Sequence, residues 1–190
     1  MTDASLPLAD DTLENDLSLS VVPSEWSLNI TTEKLEGRKR RIVASISIPC
    51  SVEKVWQVLT DYDNLSNFIP NLTLSRRIER PESGCFLEQV GSQCFLNIQF
   101  CARVVLQMAE HFPSYLGFSM VEGDFRTFEG AWQLTEDLTN PEATRLTYEV
   151  IICPPRVIPA ALIERHLRHD LTQNLQAIRT QSITMATLPA

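Results

Sequence analysis

Asp61-Tyr62-Asp63-Asn64 opens like a calcium-binding loop, with side-chain oxygens close together in sequence. Such a loop needs a glycine at its sixth position and a glutamate at its twelfth. The glycine is missing and Leu72 stands where the glutamate is required, so helix capping is the better reading. The five cysteines, Cys50, Cys85, Cys94, Cys101 and Cys153, form no C-x-x-C pair. Of the three histidines, His111 is isolated, and His166 and His169 sit three apart without a nearby third ligand. No metal site is expected. A glycine-rich phosphate loop, H-E-x-x-H and G-x-S-x-G are also missing, so no catalytic residue is assigned and no cofactor is expected.

What remains are polar groups set among apolar neighbours. In DFRTFEGAWQL, Arg126 shares strand parity with Phe128, Gly130, Trp132 and Leu134 and is expected on the face of Trp132. There it pairs with Glu122, Asp124 or Glu129, or meets a ligand. Gly130, between aromatic residues, marks a bend or bulge of the sheet. Tyr148 lies on the apolar parity of TRLTYEVII and can present its hydroxyl inward. Near the C-terminus, Ala160, Ile163, Leu167, Leu171, Leu175 and Ile178 form a helical stripe that includes Asn174. A buried amide is costly without a partner, so Asn174 requires a protein group, a water or a ligand oxygen. His166 and Asp170, four apart on the flank, read as a surface pair.

These groups need a scaffold. The chain has 190 residues, 44% of them hydrophobic, which suits one domain with a single core. A net charge of −8 argues against nucleic acid, whose binders gather Lys and Arg on one face. The basic cluster GRKRR, Gly37 to Arg41, reads as a solvated strand edge. No apolar run is long enough to span a bilayer, and the N-terminus has no secretory-signal pattern. Unpaired thiols suit a reducing, cytoplasmic setting.

Residues 1–25 are acidic and aperiodic and read as a disordered tail, 26–182 as the folded domain, and 183–190 as a flexible terminus. Val52, Val55, Trp56 and Leu59 share one face of a helix with Ser51 as N-cap. Asp61 opens a second short helix carrying Tyr62, Leu65, Phe68 and Ile69, which Pro70 stops. Before this pair lie WSLNITTEKL, a Glu36-Gly37 turn and RRIVASISI; after it come further strand candidates joined by short links, including one at Gly91 to Gln93. Short links make neighbours antiparallel. The predicted fold is α+β: a curved antiparallel sheet of about seven strands wrapped around one long C-terminal helix, with two short helices closing one end.

The stretches IPCSVEKVWQVLTDYDNLSNFIPNL, LEQVG, FCARVVL, SMVEGDFRTFEGAWQL and LIERHLRHDLTQNLQAIR, in this order, resemble the START-related helix-grip superfamily (SRPBCC). That superfamily includes polyketide cyclase/dehydrase-like and coenzyme-Q-binding proteins. The resemblance implies an elongated apolar cavity for a lipid, isoprenoid quinone or polyketide-like molecule, usually without a bound metal. Its expected lining is Trp56, Tyr62, Phe68 and Ile69 from the helix pair; Phe118, Met120, Arg126, Phe128, Trp132 and Tyr148 from the strands; and Leu167, Leu171 and Asn174 from the long helix. A carrier of a hydrophobic ligand is the leading expectation. The alternatives are a cyclase or dehydratase using Arg126, Tyr148 or Asp170, and an interaction protein with a vestigial cavity. Transient membrane contact is compatible with a carrier, and the oligomeric state is left open.

Overall fold

Ile42, Ala44, Ile46 and Ile48 are all fully buried, whereas the residues between them are not, and this alternation makes β2 (Arg40–Ile48) one wall of the core. A computed structural model describes residues 28–81, 83–95, 98–138, 140–156 and 160–187, side chains included except at 92–100 and 160–166. The expected acidic tail lies outside the described residues. β1 (Asn29–Lys34) pairs with β2 through a turn in which Gly37 has φ +63°, a left-handed conformation natural to glycine.

Helix α1 (Val52–Thr60) follows, buries Val55, Trp56, Val58 and Leu59, and starts behind Ser51, which makes no side-chain cap bond. The expected second helix is shorter than its pattern suggested, a 3-10 turn over Leu65–Asn67. Strands β3 (Leu72–Ile78), β4 (Cys85–Phe95), β5 (Ile98–His111), β6 (Tyr115–Gly123), β7 (Thr127–Asp137) and β8 (Asn140–Cys153) then run back and forth, and α2 (Ala160–Thr187) closes the chain.

The sheet has eight antiparallel strands in the order β1-β2-β8-β7-β6-β5-β4-β3, one more than the expected seven or so. The link expected at Gly91 to Gln93 lies inside β4, which stays paired with β5 to its last residue, Phe95. Since β8 docks on β2, the chain must cross from one side of the sheet to the other between β2 and β3. α1 and the 3-10 turn make that crossing at one end of the sheet. α2 packs against α1 and β2, burying Leu171, Leu175 and Ile178. It continues past residue 182 to Thr187, because Ile183 and Met185 still pack on the core.

The basic cluster sits differently from expectation. Arg40 and Arg41 begin β2, an interior strand, while β1 forms the sheet edge. Arg41 donates two hydrogen bonds to Glu149 of neighbouring β8, at 2.7 and 3.2 Å, and bonds Glu33 of β1. Its charge therefore serves cross-strand pairing.

Candidate functional site

Gly130 is the position on which the concave face is built. It stands opposite Phe118 of β6 and Val150 of β8. A Cβ there would lie 2.8 Å from Phe118 Cζ and 2.9 Å from Val150 Cα, and would collide with the Glu149 carbonyl. Glycine thus lets the Phe118 ring cross the β7 backbone. No register shift occurs at this point, so close approach explains Gly130 and a bulge does not.

Around it the inward side chains of three strands meet. Trp132 and Tyr148 oppose each other in the β7–β8 ladder, with ring centroids 4.2 Å apart. Tyr148 stacks on Phe118 at 5.8 Å, and Phe118 meets Phe128 at 5.6 Å. Phe125, just before β7, extends the row with a 5.5 Å contact to Phe128. Offset and tilted ring pairs at these spacings are mutually favourable and rigid. Met120 and Met108 lie half-buried beside them, supplying adaptable apolar surface. Tyr148 is itself buried, and its hydroxyl has no hydrogen-bond partner among the described residues. Burial pushes its phenol well above the ordinary range, so it stays a neutral donor and acceptor at any physiological pH.

The facing helix contributes Leu167 and Leu171 together with two polar groups one turn apart. Asp170 is buried, not at the surface as expected, and accepts a 3.4 Å hydrogen bond from Asn71 Nδ2; the His166 side chain of the expected pair lies outside the described residues. Asn71 follows Pro70 with φ +62°, a conformation that asparagine tolerates better than most residues. Four residues beyond Asp170, the Asn174 Oδ1 is buried without a hydrogen-bond partner among the described residues.

The helix pair divides into a strapped half and a looser half. Tyr62 is fully buried; its hydroxyl donates to Glu110 at 2.8 Å, and its carbonyl accepts from Ser75 Oγ at 2.6 Å. The Arg77 guanidinium lies over the Tyr62 ring, and the Arg77 backbone N–H donates to Asp63. Asp61 accepts a hydrogen bond from the Asn64 side chain at 2.9 Å. The acidic run is therefore spent on local structure. Phe68 and Ile69, by contrast, are only partly buried against the core. Trp56 is buried at the α1 end, edge-on to exposed Phe112 at 5.6 Å.

Arg126 departs from its expected place. It lies in the bend before β7 with its side chain exposed, its backbone N–H bonded to the Cys153 carbonyl. The strand parity that would have turned it inward begins only at Thr127. Two of its proposed partners are engaged elsewhere: Glu122 with Arg80 and Arg103, and Asp124 with the Arg103 backbone. The structure thus gathers Phe118, Phe128, Trp132 and Tyr148, places Leu167, Leu171 and Asn174 on α2, and leaves Arg126 outside. Phe125, Asn71 and Glu110 were missed. Asn71 directly after the helix-stopping Pro70 is a local turn signal for the second of these, while nothing local marks Glu110 as the Tyr62 partner.

The family profile described as polyketide cyclase / dehydrase and lipid transport matches residues 48–179, from the end of β2 to α2. The chain belongs to this family. Among curated proteins none matches it. Solved structures share its fold at low identity. A STAR-related lipid transfer protein fragment from Xanthomonas axonopodis superposes with TM-score 0.65 and 15% identity, covering 83% of this chain and 98% of the other. A START superfamily protein from Mycobacterium smegmatis gives 0.64 and 11%, covering 76% and 98%. Zhui aromatase/cyclase from Streptomyces sp. R1128 gives 0.61 and 12%, covering 76% and 93%. What this chain shares with these structures is the START-like sheet-and-helix frame. Among the described residues no helix is long and apolar enough to cross a membrane.

Proposed function

We propose that the protein binds and carries a hydrophobic small molecule, such as a lipid, isoprenoid quinone or polyketide-like compound, between the concave sheet face and α2. The observation that carries this reading is the ring surface of Phe118, Phe128, Trp132 and Tyr148, in which the Tyr148 hydroxyl, borne on a buried ring, makes no hydrogen bond to the described residues. Apolar sites of this kind take their affinity from area and their orientation from a few polar atoms. Tyr148 and Asn174 supply such atoms from opposite walls, and Leu167, Leu171 and Met120 the apolar remainder. Phe68 and Ile69 form the movable part of the entrance. Tyr62 holds the adjoining segment in place, and Trp56 anchors α1 behind it.

A second reading, conversion of the bound molecule by cyclisation or dehydration, draws its support from Asp170. It is a buried carboxylate beside Asn71, one helical turn from Asn174. General acid–base chemistry requires such a group within hydrogen-bond reach of the reacting atom.

Native mass spectrometry of the purified protein, followed by solvent extraction, tests the carrier reading directly. A panel of quinones, fatty acids and isoprenoids is then titrated against tryptophan emission and thermal stability. Tyr148→Phe is expected to leave stability within about 0.5 kcal/mol, as no protein hydrogen bond is broken, while changing affinity for ligands that carry a polar head. If the panel gives neither binding nor stabilisation, the carrier reading fails; consumption of a bound polyketide-like substrate, lost in Asp170→Asn, would favour the second.

A further inference from the structure

At the α1 end of the sheet, a groove of about 430 Å³ is lined by Ser47, Pro49, Asn140, Ala143 and Arg179. Its lining shares no residue with the aromatic surface of the concave face. The end of β2, the start of β8 and α2 form its walls. Beside it the Thr144 hydroxyl donates to the Cys50 carbonyl at 2.7 Å, both residues being buried, so the junction of β2 and β8 here is pinned.

The polar chemistry of the lining is one-sided. Arg179 brings a permanent positive charge, Ser47 a hydroxyl, and Asn140 an amide N–H₂, while the Asn140 Oδ1 is already accepting the Glu142 backbone N–H at 3.1 Å. Among the described residues no carboxylate lines the groove. Asp137, in the adjoining turn, has both oxygens bonded to Arg145 at 3.2 Å, and Glu142 is exposed. Arg179 has no hydrogen-bond or ion-pair partner among the described residues, and its Nε is buried with its hydrogen-bonding capacity unused. A buried guanidinium N–H left unpaired is costly, and the lack of a counter-charge among the described residues is more telling in a chain of net charge −8, where acidic partners are plentiful. Lys54 adds a second cation close by: the charges of both Arg179 and Lys54 bear on the Cys50 thiol, against the burial that raises its pKa.

We propose that this groove is a separate binding site for a small oxyanion, a phosphate or carboxylate group, with Arg179 as the charge that selects it and Ser47 and Asn140 as neutral donors. Planar guanidinium groups hold such oxyanions through paired, charge-assisted hydrogen bonds. The open side of the groove leaves room for whatever organic group carries the anion. The same chemistry accepts a free anion or an anionic lipid headgroup, and the two sources separate experimentally.

The test is titration of the full-length protein with inorganic phosphate at constant ionic strength, following the Arg179 Nε–H resonance and the thermal midpoint. A saturable shift of that resonance and a rise in the midpoint are expected. Arg179→Gln should weaken the response by roughly tenfold or more, the loss of one charge-assisted bond set. Ser47→Asp, which places a carboxylate in the groove, should weaken it comparably and decides the matter if Arg179→Gln does not fold. Cosedimentation with phosphatidylcholine vesicles, with and without phosphatidic acid, identifies the source. Arg179-dependent binding to the acidic vesicles indicates a headgroup, and a response to free phosphate alone indicates a soluble anion. No saturable shift, or a shift that both variants retain, overturns the proposal.

Discussion

Replacing Asn174 by leucine isolates the energetic consequence of one unsatisfied atom. In the native structure the Asn174 Oδ1 is buried and accepts no hydrogen bond from the described residues, between the buried Leu171 and Leu175 on the helix stripe. An acceptor removed from water and left unpaired costs about 1–3 kcal/mol. Leucine has a similar volume, so no cavity opens, and it is the better helix former by a few tenths of a kcal/mol. Repacking of its branched end returns part of the gain, since shape changes in a packed interior cost up to about 1.5 kcal/mol. The net expectation is a stabilisation of about 1 kcal/mol, or roughly 2–4 °C in thermal midpoint for a chain of this size. Urea denaturation of Asn174→Leu and Asn174→Ala beside the parent measures it, the alanine variant gauging helix propensity; an unchanged slope confirms that the native state is comparable. On the proposed carrier reading, binding of any ligand identified by extraction should weaken or change in selectivity, because the Asn174 amide is lost. Destabilisation by about 1 kcal/mol or more would refute the reasoning, since it would mean that the amide holds partners together.

Gly130→Val should be severely destabilising, by about 3 kcal/mol or more, since the side chain must displace both the Phe118 ring and the β8 backbone. Loss of near-ultraviolet circular dichroism from the ring group, alongside the denaturation midpoint, checks it, and a folded variant with parental signal would contradict the close-approach account. The Arg103 and Arg76 guanidinium groups, bonded to Glu88 at 2.6 and 2.7 Å, hold its carboxyl below the usual glutamate range. A carboxylate with a depressed folded-state pKa adds stability above its unfolded value, near 4.3, and loses it as pH falls through the folded value. Stability measured from pH 7 to pH 3 should therefore fall less steeply in Glu88→Gln than in the parent, and parallel curves would remove Glu88 from the acid response.

Periodicity was sufficient wherever a local pattern had one partner to satisfy. The alternation of Ile42 to Ile48, the i, i+3, i+4 spacing of Val52 to Leu59 and the stripe of Leu171, Leu175 and Ile178 each specify a buried face, because exposing it would cost more than any competing arrangement recovers. Together with the short links they implied an antiparallel sheet curled on one helix, and Trp132, Tyr148 and Asn174 were legible as inward residues for the same reason. Parity failed at Arg126, because it holds only inside a strand and the bend extends through that residue before β7 begins. Asp170 was expected at the surface, yet it is buried and bonded to Asn71, ninety-nine residues earlier. The long reach of the chain also decided what Gly130 is for, since the atoms a side chain would strike belong to β6 and β8. It decided that Tyr62 is strapped by Glu110 and Ser75, and that Arg179 lines a groove in which no described residue supplies a counter-charge. Sequence alone determined which faces are apolar, since burial depends on residue type and period. Only the tertiary structure decided which polar atoms are satisfied and which remain open to a ligand, because hydrogen bonds depend on distances that no local pattern contains.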